Sequence, residues 1–192
     1  NSSYDWLIEK IDNEIQNAKD GFESGIWIKC NAIVEQKIIE KFYEASNAGV
    51  RSHVMVRGIW CLRPNVKGMS ENIIVTAIIG RFLEHGRIYV FANKGKFQSE
   101  SNLVYIASAD IMPRNLYHRV EAFVPLENKT VRGQVLDQVL PALINDTKNT
   151  WQLNKNGEYS KKQNKDKKFC AHTYFMKNPS LSGQGSLAKI QV

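Results

Sequence analysis

The sequence predicts an α/β layered domain, on three observations. Segments with helical periodicity alternate with short β-branched or alternating runs along most of the chain. Hydrophobic residues make up 43% of the 192 residues and four tryptophans are present, a composition that buries a full core. No apolar run reaches the roughly 20 residues that a membrane-spanning helix needs.

Residues Trp6–Ala18 place Leu7, Ile11, Ile15 and Ala18 on one face, so a helix is predicted there, stopped near Gly21. Ile26–Lys29 reads as a short strand. Val34, Ile38, Phe42 and Ala45 mark a second helix over Ile33–Ala45, with Gly49 in a C-cap position. Val50–Val56 alternates as a strand, and a loop carrying Pro64 and Gly68 runs from Gly58 to Met69. Ser70 followed by Glu71 has the pattern of a helix N-terminus, predicting a helix to about Leu83. Arg87–Phe91, Leu103–Ser108 and Arg119–Val124 read as strands. Val131, Val135, Leu136, Val139, Leu140 and Leu143 mark a long helix, with a kink expected at Pro141. Residues 1–150 are expected to form the core and 151–192 a basic extension of it. No internal repeat is present. The chain lacks an initiator Met and starts within a helical pattern, so it is expected to be a fragment of a longer protein.

The formal charge is +7, which fits a polyanionic partner as readily as a solvated basic surface. Lys155, Lys161, Lys162, Lys165, Lys167 and Lys168 crowd a polar stretch that reads as a mobile loop or arm. Arg57, Arg63, Lys67, Arg81, Arg87, Arg114 and Arg119 lie instead in well-structured sequence. Arginines on rigid elements offer planar forks to phosphate, so the second set carries more weight. Cys30, Cys61 and Cys170 are scattered and lack CxxC spacing, which argues against a disulfide framework or zinc site and for a reducing compartment.

His85 and Arg87 are two residues apart. On a strand beginning at His85 they would share a face, bringing an imidazole able to move a proton beside a permanently charged guanidinium. The other reading is a helix C-terminus at His85 capped by Gly86. Downstream, IASADIMPRN follows a strand, where small residues allow close ligand approach. There Ser108, Asp110, Arg114 and Asn115 are candidate lining groups. Lys29 and Asn31 share one strand face and could reach a phosphate, although the plainer expectation for both is the surface.

HGR followed by ASAD resembles the HxK…GSxN pattern of the phospholipase D superfamily, with Arg87 in place of Lys and Asp110 in place of Asn. A closer resemblance rests on longer strings. VRGIWCLRPNVKGMSENIIV, IIGRFLEHGRIYVF and YIASADIMPRNLYHRVE are similar to the C-terminal domain of bacterial polyphosphate kinase, the long-chain synthesising type. The likeness runs from about residue 7 through Asn145 and more loosely into WQLNKNGEY. It implies a phospholipase D-like layered domain, a mixed β-sheet flanked by helices. It also implies reversible transfer of the terminal phosphate of ATP to polyphosphate through a phosphohistidine. That histidine belongs to a preceding domain, and none of His53, His118 or His172 sits in a similar motif.

By the same resemblance, Arg57 and His85 occupy nucleotide-contacting positions, with His85 in a supporting catalytic role. Arg87, Ser108, Asp110, Arg114 and Asn115 are lining residues. ATP/ADP is the implied substrate and Mg2+ the implied ion, with its ligands outside this chain. Implied partners are inorganic polyphosphate, preceding domains of the same enzyme and further copies in a homo-oligomer, with no nucleic acid. The implied location is cytoplasmic, with the inner membrane face as a peripheral site, and the isolated fragment is expected to be inactive. The residues taken alone leave two other classes open: a phospholipase D-type phosphodiesterase or nuclease half-site, and a non-catalytic module for RNA or an acidic membrane.

Overall fold

A computed structural model of the chain describes residues 2–162 and 168–178. Helix α1 (Ser3–Lys19) opens on a capping box, in which Ser2 and Asp5 satisfy each other's backbone N–H groups. Strand β1 (Gly25–Cys30) leads through α2 (Gln36–Asn47) to β2 (Arg51–Val56), which pairs with β1 in parallel, Gly25 opposite Arg51 and Cys30 opposite Val56. The helix begins at Gln36 rather than at Ile33, because Glu35 caps it: its carboxylate accepts the Ile38 N–H at 2.7 Å.

The segment from Ser70 to Leu83 is not a helix. Ile73–Ile78 is strand β3, parallel to β2. The Ser70 hydroxyl accepts the Val66 N–H at 3.1 Å and donates to the Arg63 carbonyl at 2.6 Å, so it ties the preceding loop instead of capping a helix. The run Ile73-Ile74-Val75-Thr76 is β-branched, and most of the strand is buried. A strand covered on both faces shows no alternation to distinguish it from a buried helix.

The chain then returns. Strand β4 (Ile88–Phe91) runs antiparallel to β1, followed by β5 (Leu103–Ala107), α3 (Pro113–Tyr117) and the short edge strand β6 (Phe123–Pro125). The expected strand at Arg119 starts only at Phe123. Pro125 ends this strand at the sheet edge, where proline is tolerated. The long helix forms as α4 (Lys129–Gln134), a π-helical stretch at Val135–Val139 and α5 (Leu140–Asn145). The Leu140 N–H reaches the Val135 carbonyl five residues back, immediately before Pro141, which lacks an N–H. The chain accommodates the proline by this widened turn.

Strands β7 (Thr150–Leu153) and β8 (Tyr159–Lys161) extend the sheet beyond β3, and α6 (Ala171–Lys177) packs against α5. Among the described residues eight strands run in the order β6-β5-β4-β1-β2-β3-β7-β8, a mixed α/β sheet flanked by helices, as predicted. Lys161 lies in β8, and the partly buried Lys162 donates to the Ile144 carbonyl at 2.8 Å, so these two lysines are not on a mobile arm. Lys165 and Lys167 lie outside the described residues.

Residues alternate strictly between two cores. Ile26, Ile28, Val54, Val56, Tyr89 and Phe91 belong to the core beneath α1 and α2. Trp27, Met55, Ile88 and Val90 belong to the core of the opposite face, with Leu140 and Leu143 of α5. Trp6 of α1 anchors the first core against Tyr89, Phe91, Tyr105 and Phe123.

His53 lies on the second face, buried, with Nε2 2.9 Å from the Thr76 hydroxyl. Burial, with Lys162 adding repulsion, pushes its pKa down to about 4. The unfolded ring titrates near 6.5, so between the two values the unfolded chain binds more protons than the folded one, and stability falls as the solution is acidified through that window. The loss amounts to about 3 kcal/mol when integrated. His53→Gln removes the titration. The difference in urea midpoint between pH 7.5 and pH 5 is expected to shrink clearly in this variant relative to the native chain.

Candidate phosphate site

The central strands determine where the candidate residues meet. β1 and β2 are parallel and end together, while β4 runs antiparallel on the other side of β1, with Lys29 opposite Ile88. The segment leading into β4 therefore lies beside the exits of β1 and β2. Such a reversal of strand order in an open α/β sheet leaves a crevice at the strand ends.

Three segments converge there. From the exit of β1 come Lys29 and Asn31, both buried despite the expectation of surface positions. From the exit of β2 comes Arg57, whose Nε donates to Asn31 Oδ1 at 2.9 Å and to the Glu84 carbonyl. Its Nη2 lies 3.3 Å from His85 Nδ1. A guanidinium only donates, so Nδ1 accepts, and the ring proton of the neutral imidazole sits on Nε2. His85 is exposed, so its Nε2–H is free to meet a ligand oxygen. A small pocket lined by Lys29, Cys30, Met55, Val56, Arg57, Ile78 and Glu84 lies beneath this pair. Gly58 permits the close turn: its N–H donates to the Asn31 carbonyl at 3.0 Å, and a Cβ there would stand 2.6 Å from the same oxygen.

His85 is on neither a strand nor a helix end. Residues 79–87 have no regular structure, and β4 begins only at Ile88, so the two-residue spacing of His85 and Arg87 does not place them on one strand face. Arg87 turns instead to Asp110, which it grips with two parallel bonds of 3.0 and 2.9 Å. Asp110 also accepts the Asn31 N–H at 2.7 Å. Burial works against the charge on Asp110, but the Arg87 and Asn31 bonds outweigh it and hold the carboxyl below its usual range. Burial likewise pushes the neighbouring Cys30 thiol up to about 12, which leaves it inert.

The remaining candidates form a separate group. Ser108 and Asn115 both donate to the Glu121 carboxylate, and Arg114 is exposed on α3. None of the three bonds directly to Arg57 or His85 among the described residues. Glu84 and His172 belong to the site but carried no signal in the sequence. Glu84 pairs with Lys29 at 3.1 Å and with His172 at 2.7 Å.

Among the described residues no three His, Cys, Asp or Glu side chains stand together as a metal-binding group. The carboxylates beside this site, Glu84 and Asp110, are each engaged by a cation. Among the described residues no helix is long and apolar enough to cross a membrane.

Comparison with known proteins places this architecture. Residues 2–172 match the family described as Polyphosphate kinase C-terminal domain 2. The chain belongs to the polyphosphate kinase family. It is 53% identical over 175 residues to the polyphosphate kinase of Erythrobacter litoralis, covering 91% of this chain and 24% of that protein. It is 40% identical over 171 residues to the polyphosphate kinase of Helicobacter pylori strain J99, covering 89% of the chain and 24% of that protein. The crystal structure of polyphosphate kinase from Porphyromonas gingivalis superposes with a TM-score of 0.85 at 32% identity, covering 92% of this chain and 26% of that one. This phospholipase D-like domain thus spans about a quarter of the length of the polyphosphate kinases it matches.

Proposed function

We propose that this chain is the C-terminal part of an enzyme that reversibly transfers the terminal phosphate of ATP to polyphosphate, and that it grips phosphate through Arg57 and His85. The observation that carries the reading is the Arg57–His85 pair itself. It joins a guanidinium already oriented by Asn31 and the Glu84 carbonyl to an imidazole whose free edge is an N–H donor. Groups fixed before the substrate arrives stabilise phosphoryl charge without reorganising.

The phosphate-carrying histidine is assigned to a preceding domain. A self-standing phosphodiesterase of the phospholipase D type is disfavoured because Arg87, in the place of that superfamily's lysine, has its fork closed on Asp110. Magnesium is supplied with ATP and held by groups outside this chain, where it would neutralise phosphate charge. Exposed basic residues serve as a track for the polyphosphate chain, with affinity falling as salt rises. The enzyme works in the cytoplasm as a homo-oligomer, with the inner membrane face as a peripheral location.

Incubating the full-length enzyme with ATP labelled in the terminal phosphate, then mapping the acid-labile label, tests this division of labour. Label is expected outside residues 1–192, and none is expected on the isolated chain under the same conditions. Phosphohistidine on His53, His85, His118 or His172 would overturn it.

A further inference from the structure

His172 lies far from His85 in sequence, yet it contacts the loop that carries it. Its Nδ1 accepts the Phe82 N–H at 3.3 Å, so the ring proton is on Nε2, which donates to Glu84 Oε1 at 2.7 Å. His172 is only 4% exposed, and a Cβ on Gly80 would stand 2.8 Å from its Nδ1, so α6 sits tightly against the loop. The other Glu84 oxygen pairs with Lys29 at 3.1 Å, and Lys29 also donates to the Gly86 carbonyl at 3.2 Å. The residues on both sides of His85 are thereby held, one through the carboxylate and the other through its carbonyl.

This bracing adds to the bonds at the two ends of the loop, Ile79 N–H to the Asn149 carbonyl and Ala107 N–H to the Arg87 carbonyl, and to the Arg57 contacts with Glu84 and His85. Residues 79–87 lack regular structure, and Ile79, Phe82 and Leu83 are exposed rather than buried in either core. A loop whose middle has no ladder hydrogen bonds and no buried apolar anchor opens at low cost. Arg57 is anchored outside the loop by Asn31, whereas His85 is placed by Arg57 at its Nδ1 and by the bonds that hold its neighbours Glu84 and Gly86.

We infer that His172, acting through Glu84, is a positioning residue that sets the His85 loop for phosphoryl transfer. The inference rests on the role proposed above for His85. It assigns to helix α6, distant in sequence, a function in the site beyond closing the second core.

A double-mutant cycle in the full-length enzyme tests this, with kcat/KM for ATP as the readout. His172→Ala is expected to lower it by roughly 10- to 100-fold, the size of effect a small misplacement produces. In a His85→Ala background the same change is expected to cost less than about 3-fold, because the group it positions is already gone. His172→Gln, which keeps an N–H donor toward Glu84, is expected to recover most of the loss. Equal losses in both backgrounds, or native kcat/KM in His172→Ala, would overturn the positioning role while leaving the phosphate site intact. Native kcat/KM in His85→Ala would instead remove the site reading and this inference with it. Should His172→Ala not accumulate as folded enzyme, Glu84→Ala carries the same cycle from the other end of that bond, with the same criteria.

Discussion

Alanine at Arg57 or at His85 is expected to lower ATP-dependent polyphosphate synthesis by the full-length enzyme by roughly 100- to 1,000-fold, the usual cost of removing one preorganised donor to developing charge. Each residue contributes what the other cannot. Arg57 brings a fixed positive charge, and its Nε is already bonded to Asn31 and to the Glu84 carbonyl, so the fork cannot swing away when the site is empty. His85 brings a neutral N–H whose direction is set by the guanidinium at its Nδ1. Arg57→Lys is expected to be nearly as damaging as alanine, since a point charge on a flexible stem neither bonds Asn31 in the same geometry nor orients the imidazole. Because the pair acts together, the double variant is expected to lose less than the product of the single losses. Steady-state rates for the three variants check this, with circular dichroism confirming that each remains folded.

The largest effect on stability is expected at Arg87→Ala. Asp110 is 6% exposed at its side chain and bears its charge chiefly because Arg87 grips it. Removing the guanidinium leaves a buried carboxylate with only the Asn31 contacts, which costs roughly 3–5 kcal/mol. The sign of the pH dependence follows from the lowered carboxyl. Its folded value lies below its unfolded one, so the stabilisation is present above about pH 4 and is lost as pH falls through the folded value. In Arg87→Ala that acid-labile contribution should be absent. Urea midpoints measured from pH 7 down to pH 3 for the two proteins separate the cases. Arg87→Lys is expected to fall between them, since an ammonium reaches one carboxylate oxygen where the guanidinium reaches both. The loss should extend to activity, because Asp110 also holds Asn31, and Asn31 holds Arg57.

How much of this was legible in the sequence depends on how each element is covered. Helix α1 and strand β2 show their periods plainly. Strand β3 does not, since the sheet buries it on both sides and Ser70–Glu71 imitates a helix start. The long helix near Pro141 was visible, but its π-helical turn was not, because that depends on how the backbone absorbs one missing N–H. In the site, Arg57 and His85 stood out through a family resemblance, and the fold brings them within 3.3 Å of each other. The bidentate lock of Arg87 on Asp110 required knowing that the segments flanking β4 and β5 lie together. Lys29 and Asn31 looked like surface residues only because nothing local announces a charge buried at a strand exit. His172 offered no signal, since its link to Glu84 spans 88 residues.

Binding without turnover tests the central claim most directly. The dissociation constant of a non-hydrolysable ATP analogue, measured by titration calorimetry on the native full-length enzyme and on Arg57→Ala, isolates the phosphate grip from the chemistry that follows. At least about 10-fold weaker binding is expected in the variant, the size of a lost charge-assisted contact, with a shallower salt dependence. Equal affinity in the two proteins, with an unchanged salt dependence, would contradict it.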